Sequence, residues 1–180
     1  MALKLKNWKV IAAIAGIVAV AVVVAVLILG TLAEPDNAVA ILDGERITTE
    51  DVAQLQARQR EWYGFRMDED EALEEIIADR LLYREAERQG HLPPTEEETE
   101  RELQARLAAM NVTLESWRAL LGFDDSDYAE YLRLYRRQLA VESYLETVID
   151  VDKEDDEELF FEKVRELVAD LKSQANLEYR

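Results

Sequence analysis

The stretch between Glu71 and Gly90, EALEEIIADRLLYREAERQG, constrains this chain most. Leu73, Ile76, Ile77, Leu81 and Leu82 recur at helical spacing, with Ala78 and Ala86 as small fillers. An acidic start and the series Arg80, Arg84, Arg88 suit the helix dipole. Gly90 supplies a stop, and Pro93 and Pro94 prevent continuation. The apolar stripe is wide and runs for about five turns. A helix of this kind needs cover on more than one side, so other elements must pack around it.

Charge and residue types narrow the function. The chain has 180 residues, no cysteine and one histidine, His91. Thiolate zinc sites, cysteine nucleophiles and multi-histidine metal centres are excluded. No nucleophile–base pair and no metal-ligating cluster stands out, so the expectation is a non-enzyme without a cofactor. Net charge is −18, and Lys4, Lys6 and Lys9 lie before an uncharged stretch, so the remainder carries −21. That charge repels phosphate backbones and argues against nucleic-acid binding. Beyond the uncharged stretch the only lysines are Lys153, Lys163 and Lys172. An acid-rich, lysine-poor surface suits salt-rich, halophilic surroundings, where screening removes self-repulsion.

Between Val10 and Leu29 lie twenty residues without a charged side chain. At ~1.5 Å per residue they match the ~30 Å hydrocarbon core of a bilayer. The expectation is a single-pass anchor in the cell membrane. Lysines before it predict a cytoplasmic N-terminus and an outer C-terminal domain, with Trp8 at the interface. Thr31-Leu32-Ala33 also fits a signal-cleavage site, so secretion after cleavage near Ala33 stays as the alternative.

The soluble part reads as mainly helical. Ala38 to Leu42 is a short apolar strand followed by the turn signal Asp43-Gly44. Thr48 or Thr49 caps a helix with Val52, Leu55, Trp62 and Tyr63, and Gly64 to Asp70 breaks it. Thr95 with Glu98 opens the next helix after the prolines, presenting Leu103, Leu107 and Met110. Thr113 caps a short helix with Leu114, Trp117 and Leu120. Asp124 to Asp127 starts a long helix. An acidic run from Asp150 to Asp156 leads to the last helix, and the ending NLEYR is strand-like. The expected architecture is therefore an anchor over residues 1–33 and a domain of about six helices over residues 34–180. Its closing helix and strand, residues 155–180, would pair with the first strand in a small two-stranded sheet, because isolated strands leave backbone groups unpaired.

The order of these elements resembles the N-terminal domain of SurA-like chaperones, the SurA, PrsA and PpiD type. The run V39-A-I-L-D-G-E-R-I-T48 is similar to the family entry V-A-x-V-N-G-x-x-I-T. LEEIIADRLLYREAERQG followed by TEEE resembles the family's L-x-x-L-I-x-x-K-L-L-x-x-E-A-x-x-x-G and T/S-x-E-E segments. Val112 to Trp117 resembles G-x-T-x-E-x-[YW]. Asp43 stands where asparagine is usual, and Arg80 where lysine is usual. Only the short acidic segment stands where these proteins carry a parvulin prolyl isomerase. The resemblance implies a chaperone module that binds unfolded or translocated polypeptides without isomerase activity. The alternative is an adaptor holding one protein partner at the membrane.

Candidate binding residues are aromatic or sulfur-bearing: Trp62, Tyr63, Phe65, Met67, Met110, Trp117, Phe123, Tyr128, Tyr131 and Tyr135. Side chains of this kind serve a groove for extended peptides; any of them can equally be core. His91 reads as a polar loop residue. Asp124, Asp125 and Asp127 lack calcium-loop spacing and read as caps. Asn111-Val112-Thr113 is a glycosylation sequon whose threonine also serves as a cap. The acidic surface as a whole is expected to disfavour acidic clients.

Overall fold

The computed structural model describes residues 37–151 and 156–180. The expected anchor between Val10 and Leu29, Trp8, the cleavage site at Ala33 and part of the acidic run lie outside the described residues. Among the described residues no helix is long and apolar enough to cross a membrane.

Strands β1 (Ala38–Leu42) and β2 (Glu45–Thr48) form a hairpin. Helices α1 (Thr49–Tyr63), α2 (Glu69–Arg88), α3 (Glu96–Ala109), α4 (Leu114–Leu121), α5 (Asp125–Val148) and α6 (Glu157–Gln174) follow, and β3 (Leu177–Tyr179) ends the chain. The starts of α1 to α5 are all capping boxes, on Thr48, Asp68, Thr95, Thr113 and Asp124. Each satisfies orphan amides that the first turn cannot pair internally. The central helix begins earlier than its apolar pattern suggests, because Asp68 and Glu71 supply that box.

The sheet has three antiparallel strands in the order β2-β1-β3, not the two expected. The extra strand is β2, and the two-residue loop Asp43-Gly44 joins it to β1. Both loop residues have positive φ, 51° and 86°, the geometry of a tight hairpin turn. β1 pairs with β3 as Ala40 with Tyr179, Ile41 with Glu178 and Leu42 with Leu177. Asp43 ties this junction. Its N–H donates to the Asn176 carbonyl at 2.8 Å, and its carboxylate accepts the Asn176 N–H at 2.7 Å. The same carboxylate meets Arg84 at 2.8 Å, a charge pairing that a neutral asparagine lacks.

Helix α2 is covered on three sides. Ile77 and Leu81 pack on Ala40, Leu42 and Ile47 of the sheet. Leu82 and Ala86 pack on Tyr144, Leu145 and Ile149, with Phe160, Val164 and Leu167 of α6 over them. Ala72 packs on Val52 and Leu55 of α1. A separate cluster joins α3 to α5 through Leu103, Leu107, Leu132 and Tyr135. Arg80 braces the start of this frame. Its guanidinium donates to Glu45 at 2.8 Å and to the Arg46 carbonyl at 3.0 Å, and lies 3.5 Å from Asp51. Three acceptors around one side chain suit the several donors of the arginine fork better than a lysine ammonium.

The closing elements α6 and β3 thus cover α2 and pair β1. Lys172 and Tyr179 both bond Glu74 of α2, the tyrosine at 2.8 Å. Removing residues 159–180 should uncover the Leu82 side of α2 and leave β1 with one partner. The expected result is loss of the cooperative thermal transition and rapid proteolysis within α2. An unchanged melting temperature in the truncated chain would refute this closure.

Candidate functional site

Helices α1 and α5 both lean on α2 and leave a groove between them. It encloses about 450 Å³. One wall is α1, with Gln54, Leu55, Arg58 and Trp62. The other is α5, with Tyr131, Leu134, Arg137, Gln138 and Val141. Glu75, Ile76, Asp79 and Leu82 of α2 form the floor. Apolar side chains therefore alternate with polar ones along its whole length.

Polar pairs hold the walls in place. Arg58 of α1 reaches Glu130 of α5 at 3.1 Å, and Arg133 meets the same carboxylate at 2.7 Å. These contacts hold the Glu130 carboxyl below the usual carboxylate range, mainly through the Arg133 hydrogen bond. Arg137 reaches Asp79 at 3.1 Å, and its guanidinium lies 4.3 Å from the centre of the Tyr83 ring. Gln59 donates to Glu75 at 3.2 Å, yet burial still pushes the Glu75 carboxyl up. Arg137 Nε and Tyr135 Oη are buried without a hydrogen-bond partner. Leaving such a group unpaired costs about 1–3 kcal/mol.

One end of the groove is aromatic. Trp62 lies 5.0 Å from Phe123 and 5.9 Å from Tyr131, centroid to centroid. Trp117 of α4 closes on Tyr131 at 4.8 Å and on Phe123 at 5.4 Å. Tyr135 stacks on Tyr131 at 5.7 Å. Phe123 and Tyr135 are buried, and Trp62, Trp117 and Tyr131 half-buried. Edge-to-face and tilted contacts of this kind add rigidity beyond area burial.

The ten candidate residues do not form one surface. Trp62, Tyr63, Tyr131 and Tyr135 line the groove. Trp117 and Phe123 back its aromatic end from behind. Tyr63 and Phe65 stand 61% and 54% exposed at the α1 terminus, while Met67 packs against Val52 and Leu55. Met110 is 63% exposed at the end of α3, away from the groove lining. Tyr128 lies under Arg118 at 4.4 Å and donates to Glu100 at 3.1 Å. His91 sits 3.0 Å from the Ser143 hydroxyl and edge-on to Tyr144. Asp124 caps α5, and the amides of Ser126 and Asp127 keep its carboxyl below the usual range. Asn111 takes positive φ at 59°, and Thr113 holds Ser116 as a cap. Among the described residues no group of three or more acidic, histidine or cysteine side chains could hold a metal ion.

Sequence reasoning did not single out Arg58, Leu134, Arg137, Gln138 or Val141 as site residues. One signal was present: Arg58 stands four residues before Trp62, on the same face of its helix. Comparison with protein-family models, curated proteins and solved structures finds no match to the chain.

The phenols around this end give a pH dependence. Burial, then the Glu100 contact, pushes Tyr128 up to about 12. Burial also raises Tyr131 and Tyr135. An unfolded phenol ionises near ~10. Each raised phenol contributes stability that is full below pH ~10 and is lost as pH climbs through the folded value. Stability should therefore fall between pH ~10 and ~12, with these tyrosines ionising in step with loss of helix. Phenolate absorbance completing near pH 10 with helicity intact would contradict the packing of this cluster.

Proposed function

We propose that this chain is a membrane-tethered chaperone-like module that binds extended or unfolded polypeptide in the groove between α1 and α5. One observation carries the reading. The groove is open and large enough for several side chains, and it mixes apolar wall positions with polar groups fixed by ion pairs. Leu55, Ile76, Leu134 and Val141 offer apolar contact of modest depth, suited to many sequences rather than one. Trp62, Tyr63 and Tyr131 offer flat faces to large side chains at one end. The resemblance of the chain to SurA-like N-terminal domains supports the same reading, with the isomerase domain missing. Such a module works by covering apolar surface and requires no bond chemistry.

Its place follows from the sequence. The uncharged stretch between Val10 and Leu29 would tether the module, and Lys4, Lys6 and Lys9 would hold the N-terminus in the cytoplasm. Chains emerging from a translocation channel would then be within reach. Protease added outside intact cells should digest the domain, and protection until lysis would reverse this orientation.

The test is suppression of aggregation by the full chain in a non-denaturing detergent. Gln138 lines the groove with an exposed side chain, so Gln138→Trp should fill it without disturbing the core. Leu120 is 81% exposed and away from the groove lining. The chain should slow aggregation of an unfolded polypeptide, Gln138→Trp should lose about tenfold in potency, and Leu120→Ser should change little. Full potency in Gln138→Trp with loss in Leu120→Ser would move the binding surface to α4.

A further inference from the structure

The groove departs from the charge of the rest of the molecule. After the uncharged stretch the chain carries −21. The second surface depression, between α3 and α5, follows that trend, with Glu98, Glu102, Glu142 and Glu146 against Arg106 alone. In the groove four arginines, Arg58, Arg80, Arg133 and Arg137, are balanced by the lining carboxylates Asp51, Glu75 and Asp79 and by Glu130, which pairs both Arg58 and Arg133. Two of these arginines keep donors to spare. Among the described residues Arg58 bonds through Nη1 alone and Arg137 through Nη2 alone; the buried Nε of Arg137 is out of a ligand's reach, which leaves its Nη1. A guanidinium has five N–H donors in a planar fork that matches a carboxylate.

The spacing adds a second constraint. On α1, Arg58 lies one turn before Trp62, ~6 Å along the axis. An extended peptide places side chains on one face every second residue, ~7 Å apart. From Tyr131 to Val141 the α5 wall rises ~15 Å, room for about four or five extended residues.

Resting on the proposed peptide-binding function, we propose that the groove selects extended polypeptide segments that carry a carboxylate two residues from an aromatic side chain. The aromatic ring lies against Trp62, Tyr63 and Tyr131, and the carboxylate takes the spare donors of Arg58 and Arg137. This reverses the expectation from composition that an acidic protein disfavours acidic clients. The acidic exterior acts through solvent, where the Debye length is ~8 Å at physiological salt. The arginines act at contact distance, where a charge-assisted hydrogen bond is short and strong. The surrounding negative field would then slow the approach of acidic chains while the groove still prefers them once docked.

The test uses the full chain in zwitterionic detergent at 0.15 M salt. The probes are two fluorescent Gly/Ser peptides that differ at one position, one carrying Trp-Gly-Glu and the other Trp-Gly-Lys. The glutamate peptide should bind about tenfold tighter, the scale of one added charge-assisted contact. Arg58→Gln should bring the ratio of the two affinities from about tenfold to about one. Arg137→Gln is the second variant, with circular dichroism and melting temperature confirming that each variant folds. Equal binding of the two peptides, or tighter binding of the lysine peptide, would overturn the charge assignment and leave peptide binding standing. Binding of neither peptide at millimolar concentration would overturn both.

Discussion

One helix must be buried in three directions at once, and the domain is arranged around that requirement. Helix α2 offers Ile77 and Leu81 to the sheet, Leu82 and Ala86 to α5 and α6, and Ala72 to α1. Removing a leucine-sized group from such a position costs about 2–5 kcal/mol. The sheet and the closing helix are marginal without it. The three-stranded sheet has strands of five, four and three residues, too few for independent stability. Helix α6 has no fully buried residue of its own and gains its place by covering Leu82 and Ala86. The first and last segments of the domain meet on β1, so both ends rest on the same helix.

The groove is a by-product of that arrangement. Helix α1 packs its apolar face on α2, α5 divides its own between α2 and α3, and the two walls are bridged by polar side chains. Arg58 with Glu130 and Arg137 with Asp79 set the wall positions. Exposed ion pairs of this kind contribute little stability, about 0–1 kcal/mol each. Their value lies in orientation, because they keep a polar floor and walls from collapsing together. The aromatic group Trp62, Trp117, Phe123 and Tyr131 closes one end rigidly. A rigid end with a polar, adjustable body suits extended chains of varied sequence better than one shaped ligand.

Much of the helical frame was legible because its signals are local. Thr48, Thr95, Thr113 and Asp124 each announce a helix that begins at the next residue, and all four are caps in the structure. The wide stripe from Leu73 to Leu82 already required cover on several sides. β2 was missed because Glu-Arg-Ile-Thr offers one buried side chain, Ile47, and reads as a linker into α1. The hairpin loop Asp43-Gly44 was the clue, since a two-residue loop of that type needs a strand on both sides. The groove was not legible. Arg58 and Glu130 lie 72 residues apart, and Arg137 and Asp79 lie 58 apart. Only the docking of α1 and α5 on α2 brings them together. The aromatic residues divide for the same reason, since packing alone decides that Phe123 is buried while Phe65 is exposed.

The central claim is that α2 is the common wall on which sheet, groove and closing helix depend. Native-state hydrogen exchange on the full chain tests it most directly. The account predicts that the amides from Ile77 to Ala86 exchange slowest of all, only through global unfolding, and that those of β1 open in the same event. Amides of the short, largely exposed α4 should exchange faster by several orders of magnitude. Fast exchange in α2 while α3 and α5 stay protected would show that the helical pair stands alone, and would contradict the account.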